Sequence, residues 1–277
     1  MGLTGALEWV ANGIDAAVEG SNGALVGIGM DPEGIDTMPM YWDFVLATTW
    51  GRGTGGSLGV APADWLADYG VRRCGHEDSR VREAYSALHE TVFNPLQPNF
   101  EHHLVYCGTA YPLRGGGNSW DKETDMIRPI FPSSALANAW SLLLAAAPTC
   151  APPVTYDLID VAREYLSLFP CVAAHDALNN ATSLGAVAAA NASVVGVLND
   201  LDGLLGSALG FLTGTFIRDA RALGVAAGAT QSDLDLLEWN ARSQISTWFP
   251  TPPTPSNHLY DCASRPPCAP AAARVCI

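Results

Sequence analysis

The chain has 277 residues, 48% of them apolar and 15% charged, a composition that fits a folded globular protein and excludes a disordered one. Its 28 acids against 14 bases leave a net charge of −14, with Lys122 the only lysine. A surface this acidic repels phosphate backbones and anionic headgroups, which argues against nucleic acid and membrane surfaces as partners; a sulfated sugar polymer is repelled too, unless arginines cluster.

Residues 4–18 read as a short helix, with Leu7, Val10 and Ile14 at helical spacing. Residues 24–29 are an aliphatic run without polar alternation, the pattern of a strand buried on both faces in a parallel sheet. Asp31-Pro32 ends that run, because a residue before proline is biased away from the helical region. Glu33 then falls just past the carboxyl end of the expected strand. Residues 38–50 return to helix, with Tyr41, Phe44, Val45 and Thr48 on one face. Helix, strand and helix in that order fit the last unit or two of a (β/α) barrel. Six or more further strands would be needed to close one, and they are not in this sequence.

A glycine-rich break over residues 51–57 marks the expected domain boundary, and beyond it nearly everything reads as helix. Residues 62–74 should bury Trp65, Leu66 and Tyr69, with Arg72 and Arg73 at the negative end of the helix dipole and Gly75 as the stop. Residues 79–93 carry a stripe of Val81, Ala84, Tyr85, Leu88 and Val92. A Pro/Gly/Asn-rich loop over 95–132 separates them from a helix over 133–147, ended by Pro148. Residues 155–169 present Leu158, Val161, Ala162, Tyr165 and Phe169, with Thr155 as cap and a break or kink at Pro170. Helices over 183–205, 208–223 and 232–248 complete a bundle, the last opening on a capping box at Ser232 and Asp235. The longest strongly apolar stretch is placed at 203–217, too short to span a bilayer, and the first residues show no signal-peptide pattern, so the chain reads as soluble.

The aliphatic run and its acidic turn belong to a longer pattern. Gly27-Ile28-Gly29-Met30-Asp31-Pro32-Glu33-Gly34-Ile35, followed by Pro39-Met40-Tyr41 and Trp50, resembles the G-x-G-M-x-P-E-G-I signature of glycoside hydrolase family 89, the alpha-N-acetylglucosaminidases. Gly2-Leu3-Thr4-Gly5-Ala6-Leu7-Glu8 resembles the segment after that family's F-G-G-N loop. Arg72-Arg73-Cys74-Gly75 resembles R-R-Y-G, with Cys74 where the family usually has an aromatic. Asn240-Ala241-Arg242-Ser243-Gln244, with Trp248 and Pro250, resembles N-S-R-x-Q followed by W-G-P. The resemblance runs from residue 2 to about residue 265 and is loosest over 94–134.

What the resemblance implies is a mainly α chain, truncated at both ends. Residues 1–50 would be the terminal fragment of a (β/α)8 barrel and residues 51–250 an all-α helical-bundle domain. Residues 251–277 would be an irregular tail, read as an out-of-frame or mis-spliced end. Glycoside hydrolysis takes two carboxyl groups, and the resemblance makes Glu33 the nucleophile of a retaining reaction on terminal alpha-linked N-acetylglucosamine. The family's acid/base sits in an F-N-E motif that this sequence lacks, so negligible hydrolysis is expected of the chain alone. Asp31 shares a face with Glu33 in an extended segment but does not occupy the family's acid position. The resemblance implies no metal and no organic cofactor, an oligosaccharide or small-molecule substrate such as heparan sulfate in animals, and a lysosomal or secreted location. It leaves the oligomeric state open. The rival reading is a non-catalytic helical interaction module derived from that family.

Other candidates are weaker. Glu101-His102-His103 with Cys107 nearby matches no common metal spacing and suits an exposed loop better. His76, His89, His175 and His258 are isolated, and surface or capping roles suit them. The seven cysteines, at 74, 107, 150, 171, 262, 268 and 276, contain no C-x-x-C pair, leave at least one thiol unpaired and do not fix the redox compartment. Asn180-Ala181-Thr182 and Asn191-Ala192-Ser193 match the glycosylation sequon, but both lie in or beside expected helix, where chance is the better account.

Overall fold

The computed structural model describes residues 6–29, 39–50, 61–93 and 131–246. The chain divides into two compact units: residues 1–101 with 128–165, and residues 102–127 with 166–277. Among the described residues there are ten α-helices and no strand, so the mainly α class holds.

In the first unit, α1 (Leu7–Gly20) buries Leu7 and Ile14. It stops where the Ser21 hydroxyl donates to the Val18 carbonyl and Asn22 and Gly23 turn left-handed. The run that follows is the first correction. Residues 24–29 form no strand and no helix, and Val26 is fully exposed. A strand needs ladder partners for its backbone N–H and C=O groups, and among the described residues none lies beside it. α2 (Pro39–Trp50) buries Met40, Phe44, Val45 and Thr48, with the Thr48 hydroxyl donating back to the Val45 carbonyl at 2.8 Å.

α3 (Pro62–Cys74) opens with proline at its first position and closes on Gly75, whose φ of +87° only glycine adopts readily. Trp65, expected inside, is half-buried, while Leu66, Tyr69, Gly70 and Cys74 are inside. Gly70 has a packing reason: a Cβ there would stand 2.4 Å from the buried Tyr85 ring, so its absence lets α3 and α4 close together. α4 (Ser79–Leu88) is capped by Asp78, whose carboxylate accepts the Arg80 N–H at 2.9 Å, and runs on as a π turn over His89–Phe93. Its expected stripe of Val81, Ala84, Tyr85, Leu88 and Val92 is buried. It packs on α3 and on α5 (Ser133–Ala146), which ends in a short 3-10 turn, Ala147–Thr149, at Pro148.

α6 (Pro152–Leu166) starts earlier than Thr155, and its burial is not a stripe. Asp157, Asp160, Arg163 and Glu164 are buried along with Val154, Ile159, Val161 and Ala162. The expected apolar face predicted Leu158 and Tyr165 inside, yet both are only half-buried. Buried charges are tolerated where they pair, and here Asp160 receives a hydrogen bond from Arg163 one turn on.

In the second unit, Pro170 does not break the chain. It lies in a π turn, Ser167–Cys171, that continues into α7 (Val172–Asn179). A wider i→i+5 turn makes room for the ring and the missing N–H that an α turn would not accommodate. α8 (Leu184–Leu205) is capped by the Ser183 hydroxyl, and Leu166, Val197, Leu198 and Leu201 pack around Cys171. With a mean hydropathy of 1.4 in its most apolar window, α8 is long and apolar enough to cross a membrane, which corrects the placement of the longest apolar stretch at 203–217. Only 22% of that window is buried.

A 3-10 turn, Leu209–Phe211, leads to α9 (Thr213–Ala226), and Gly228 at φ +74° reverses the chain into α10 (Gln231–Ser246). The capping box is two residues earlier than expected. The Thr230 N–H donates to the Asp233 carboxylate and the Asp233 N–H to the Thr230 hydroxyl. Thr230/Asp233 and Ser232/Asp235 share one spacing, and the reversal at Gly228 makes the first pair the one that meets the helix start.

Candidate functional site

Glu33, on which the chemistry was placed, and Asp31, set aside as its partner, lie outside the described residues, as do Glu101, His102, His103, Cys107 and His258. The described structure reaches Gly29 on one side of the Glu33 turn and resumes at Pro39 on the other.

Among the described residues of the first unit, the organised chemistry is an aromatic series ending in charge. Phe44 of α2 meets Trp65 edge-on at 5.1 Å, Trp65 stacks on Tyr69 at 5.4 Å, and Tyr69 meets Tyr85 edge-on at 5.8 Å. The Arg72 guanidinium lies 5.3 Å from the Trp65 ring and 5.7 Å from that of Tyr69, a cation–π arrangement on the exposed side. On the inner side, Arg73 donates to both oxygens of Asp157, at 2.8 and 2.5 Å, and to the Pro153 carbonyl at 3.0 Å. The Tyr85 hydroxyl donates to the same carboxylate at 2.5 Å.

Burial and mutual hydrogen bonding set the ionisation of this cluster. Burial pushes the Tyr69 and Tyr85 hydroxyls up, and the Asp157 charge adds to it. Burial also works against the Arg73 charge, but the Asp157 hydrogen bonds and charge outweigh it and keep the guanidinium protonated. For Asp157, burial raises the carboxyl above its ordinary range, and the hydrogen bonds from Arg73 and Tyr85 offset only part of that. A forked guanidinium on a sealed carboxylate is a structural pin.

The R-R-x-G motif therefore has four separate jobs. Arg72 covers aromatic rings, Arg73 pins α6, Cys74 forms a disulfide with Cys150, and Gly75 caps α3. Only the cap was expected. Asp157 is 84 residues from Arg73 and Cys150 is 76 from Cys74, and nothing local in sequence ties such partners together.

His76 lies 3.7 Å from the Cys74 sulfur, so Cys74, His76 and Cys150 converge although no metal-ligand spacing was visible. The two sulfurs are bonded to one another and have no thiolate to offer, so the trio is not a metal centre in this form. His89 and His175, for which surface or capping roles were expected, are buried; His89 is at the C-cap position of α4 and stands 3.6 Å from Glu8 of α1. The N-A-R segment also resolves: Ala241 is inward, while Arg242 pairs with Glu238 at 2.8 Å on the outside.

Against known proteins, the model of a family described as "Alpha-N-acetylglucosaminidase (NAGLU) C-terminal domain" matches residues 65–266. The chain belongs to that family. Human alpha-N-acetylglucosaminidase is 29% identical over 256 residues, covering 90% of this chain and 32% of that protein. The chain thus spans about a third of the length of the curated relative it matches. Among solved structures, a family 89 glycoside hydrolase from Clostridium perfringens, in complex with PUGNAc, superposes with a TM-score of 0.71 at 22% identity. That match covers 90% of this chain and 27% of the other and establishes the likeness of fold. The alpha-N-acetylglucosaminidase C-terminal domain family is the one to which the sequence signatures pointed.

Proposed function

We propose that this chain is a portion of an alpha-N-acetylglucosaminidase-type glycoside hydrolase in which Glu33 is the nucleophile of a retaining reaction. The substrate would carry a terminal alpha-linked N-acetylglucosamine, heparan sulfate being the animal case. What carries the reading is the family match over residues 65–266, with the G-x-G-M-x-P-E-G-I signature preceding it in the order the family requires. In such a reaction the nucleophile carboxylate bonds to the anomeric carbon while a second carboxyl group, about 5 Å away, protonates the departing oxygen. The sequence supplies the first group and no F-N-E motif for the second. The division into a barrel portion over 1–50, a helical domain over 51–250 and a tail over 251–277 is part of this proposal, as is a lysosomal or secreted location. On this view the helical domain is a wall for the site and the source of its rigidity.

The 277-residue chain alone should release no chromophore from a chromogenic alpha-N-acetylglucosaminide above the buffer rate. A polypeptide that also includes gene sequence upstream of Met1 encoding F-N-E should cleave it and lose the rate in Glu33→Gln. Cleavage that survives Glu33→Gln in either polypeptide overturns the reading.

A further inference from the structure

The two sequons noted in the sequence are not equivalent in the fold. Asn180 follows the last turn of α7: its backbone N–H donates to the Asp176 carbonyl at 3.0 Å, the Ala181 N–H donates to the Leu178 carbonyl at 3.3 Å, and the Asn180 side chain is exposed. Residues 181–183 lie between α7 and α8, in no helix, and Thr182 is exposed. The Asn180 carboxamide donates a single hydrogen bond, at 2.8 Å to the Asp176 carbonyl, which water can replace. Asn191, by contrast, is inside the 22-residue helix α8, and the Ser193 hydroxyl of its sequon donates to the Ala189 carbonyl at 3.2 Å.

We propose that Asn180 is a site of N-linked glycosylation and that Asn191 is not. A transferase must take the asparagine carboxamide and the hydroxyl two residues on in one bent, non-helical segment. At 180–182 the chain is leaving the helix: the backbone bonds there are only the two that close the last turn of α7, Thr182 lies beyond it, and both groups face solvent. At 191–193 the helix would have to open, and the hydroxyl is engaged within it. The disulfides are an independent observation pointing the same way. Cys74 and Cys150 are joined, and Cys171 in the other unit is disulfide-bonded too. Structural disulfides form in oxidising compartments, which in a eukaryotic cell is where such glycans are added. The donor class is a lipid-pyrophosphate-linked oligosaccharide. Asn180 Nδ2 bonds to its anomeric carbon and gives up a proton, the bond from that carbon to the phosphate oxygen breaks, and the lipid pyrophosphate leaves with the electron pair. The inference does not depend on any hydrolytic activity.

The test is the full chain directed into the secretory pathway of a cultured eukaryotic host and treated with peptide-N-glycosidase. The enzyme should increase electrophoretic mobility by one step and convert Asn180 to aspartate, as read by peptide mass spectrometry. Asn180→Gln and Thr182→Ala should each remove the step, the second without touching the acceptor itself, while Asn191→Gln should leave it in place. A chain whose mobility the enzyme does not change, or an Asn180→Gln chain that still shifts, overturns the proposal; a glycan found on Asn191 overturns its second half.

Discussion

At the scale of single residues, the heaviest demand falls on Asp157. Its carboxylate is fully buried and receives Arg73 twice and Tyr85 once. Removing one member of a buried pair leaves the other charge without its counter-ion, which costs about 3–5 kcal/mol, far more than an exposed pair is worth. Asp157→Ala should therefore lower stability by that amount, measured as a fall in the urea midpoint at unchanged slope. Arg242→Ala, which breaks the half-exposed pair with Glu238, should move the midpoint far less in the same experiment. Equal effects of the two would mean that the Arg73 fork is no more than a surface contact. Asp78 shows a milder residue-level effect: hydrogen bonds from the Arg80 side chain and backbone hold its carboxyl at about 2. A carboxyl depressed in the fold contributes above its ordinary titration range, so the α4 cap weakens as pH falls from about 4 toward 2.

At the scale of elements, how closely helices approach is set by what a position lacks. Alanine is the better helix former by about 1 kcal/mol. At Gly70, however, the added Cβ would meet Cδ2, Cγ and Cε2 of a ring with no room to swing, since Tyr85 is buried and its hydroxyl is tied to Asp157. Gly70→Ala should destabilise by about 1–3 kcal/mol, as overpacking does. Gly224→Ala crowds the tips of Leu234 and Leu237, which can change rotamer, and meets Ala229 at ordinary contact distance, so its cost should be smaller. Thermal unfolding of both variants side by side checks this, and a Gly70→Ala chain at least as stable as the parent would refute the close-approach account. The π turn around Pro170 follows the same logic: one proline widens a turn and leaves the helical path intact.

At the scale of the whole molecule, the disulfide is the device with the longest reach. It joins two cysteines of the first unit across a sequence separation of 76 residues, and beside it the Ala151 N–H donates to the Cys74 carbonyl at 2.8 Å. By loop-closure entropy a link of that span is worth about 4 kcal/mol, with about 0–5 kcal/mol seen in practice. Cys74→Ser paired with Cys150→Ser should lower the denaturation midpoint accordingly, and reductant should then shift the variant less than the parent. A midpoint unmoved by the double substitution would show that the link adds nothing to the fold.

Much of this protein was readable one element at a time. The helices over 62–74 and 79–93 announce themselves through their apolar stripes and the stop at Gly75, because those signals act within a turn or two of the chain. The family, too, was legible, since its signatures are contiguous runs of residues. Two kinds of feature were not. Residues 24–29 have the composition of a buried strand, but a strand exists only when another strand pairs with it, and that is not a property of the run itself. The Arg73–Asp157 fork, the Cys74–Cys150 link and the buried acids of α6 join groups brought together only by folding; read along the chain, each is an ordinary charge or a lone thiol. Local backbone preference is written residue by residue, whereas burial and long-range pairing depend on which surfaces meet in three dimensions.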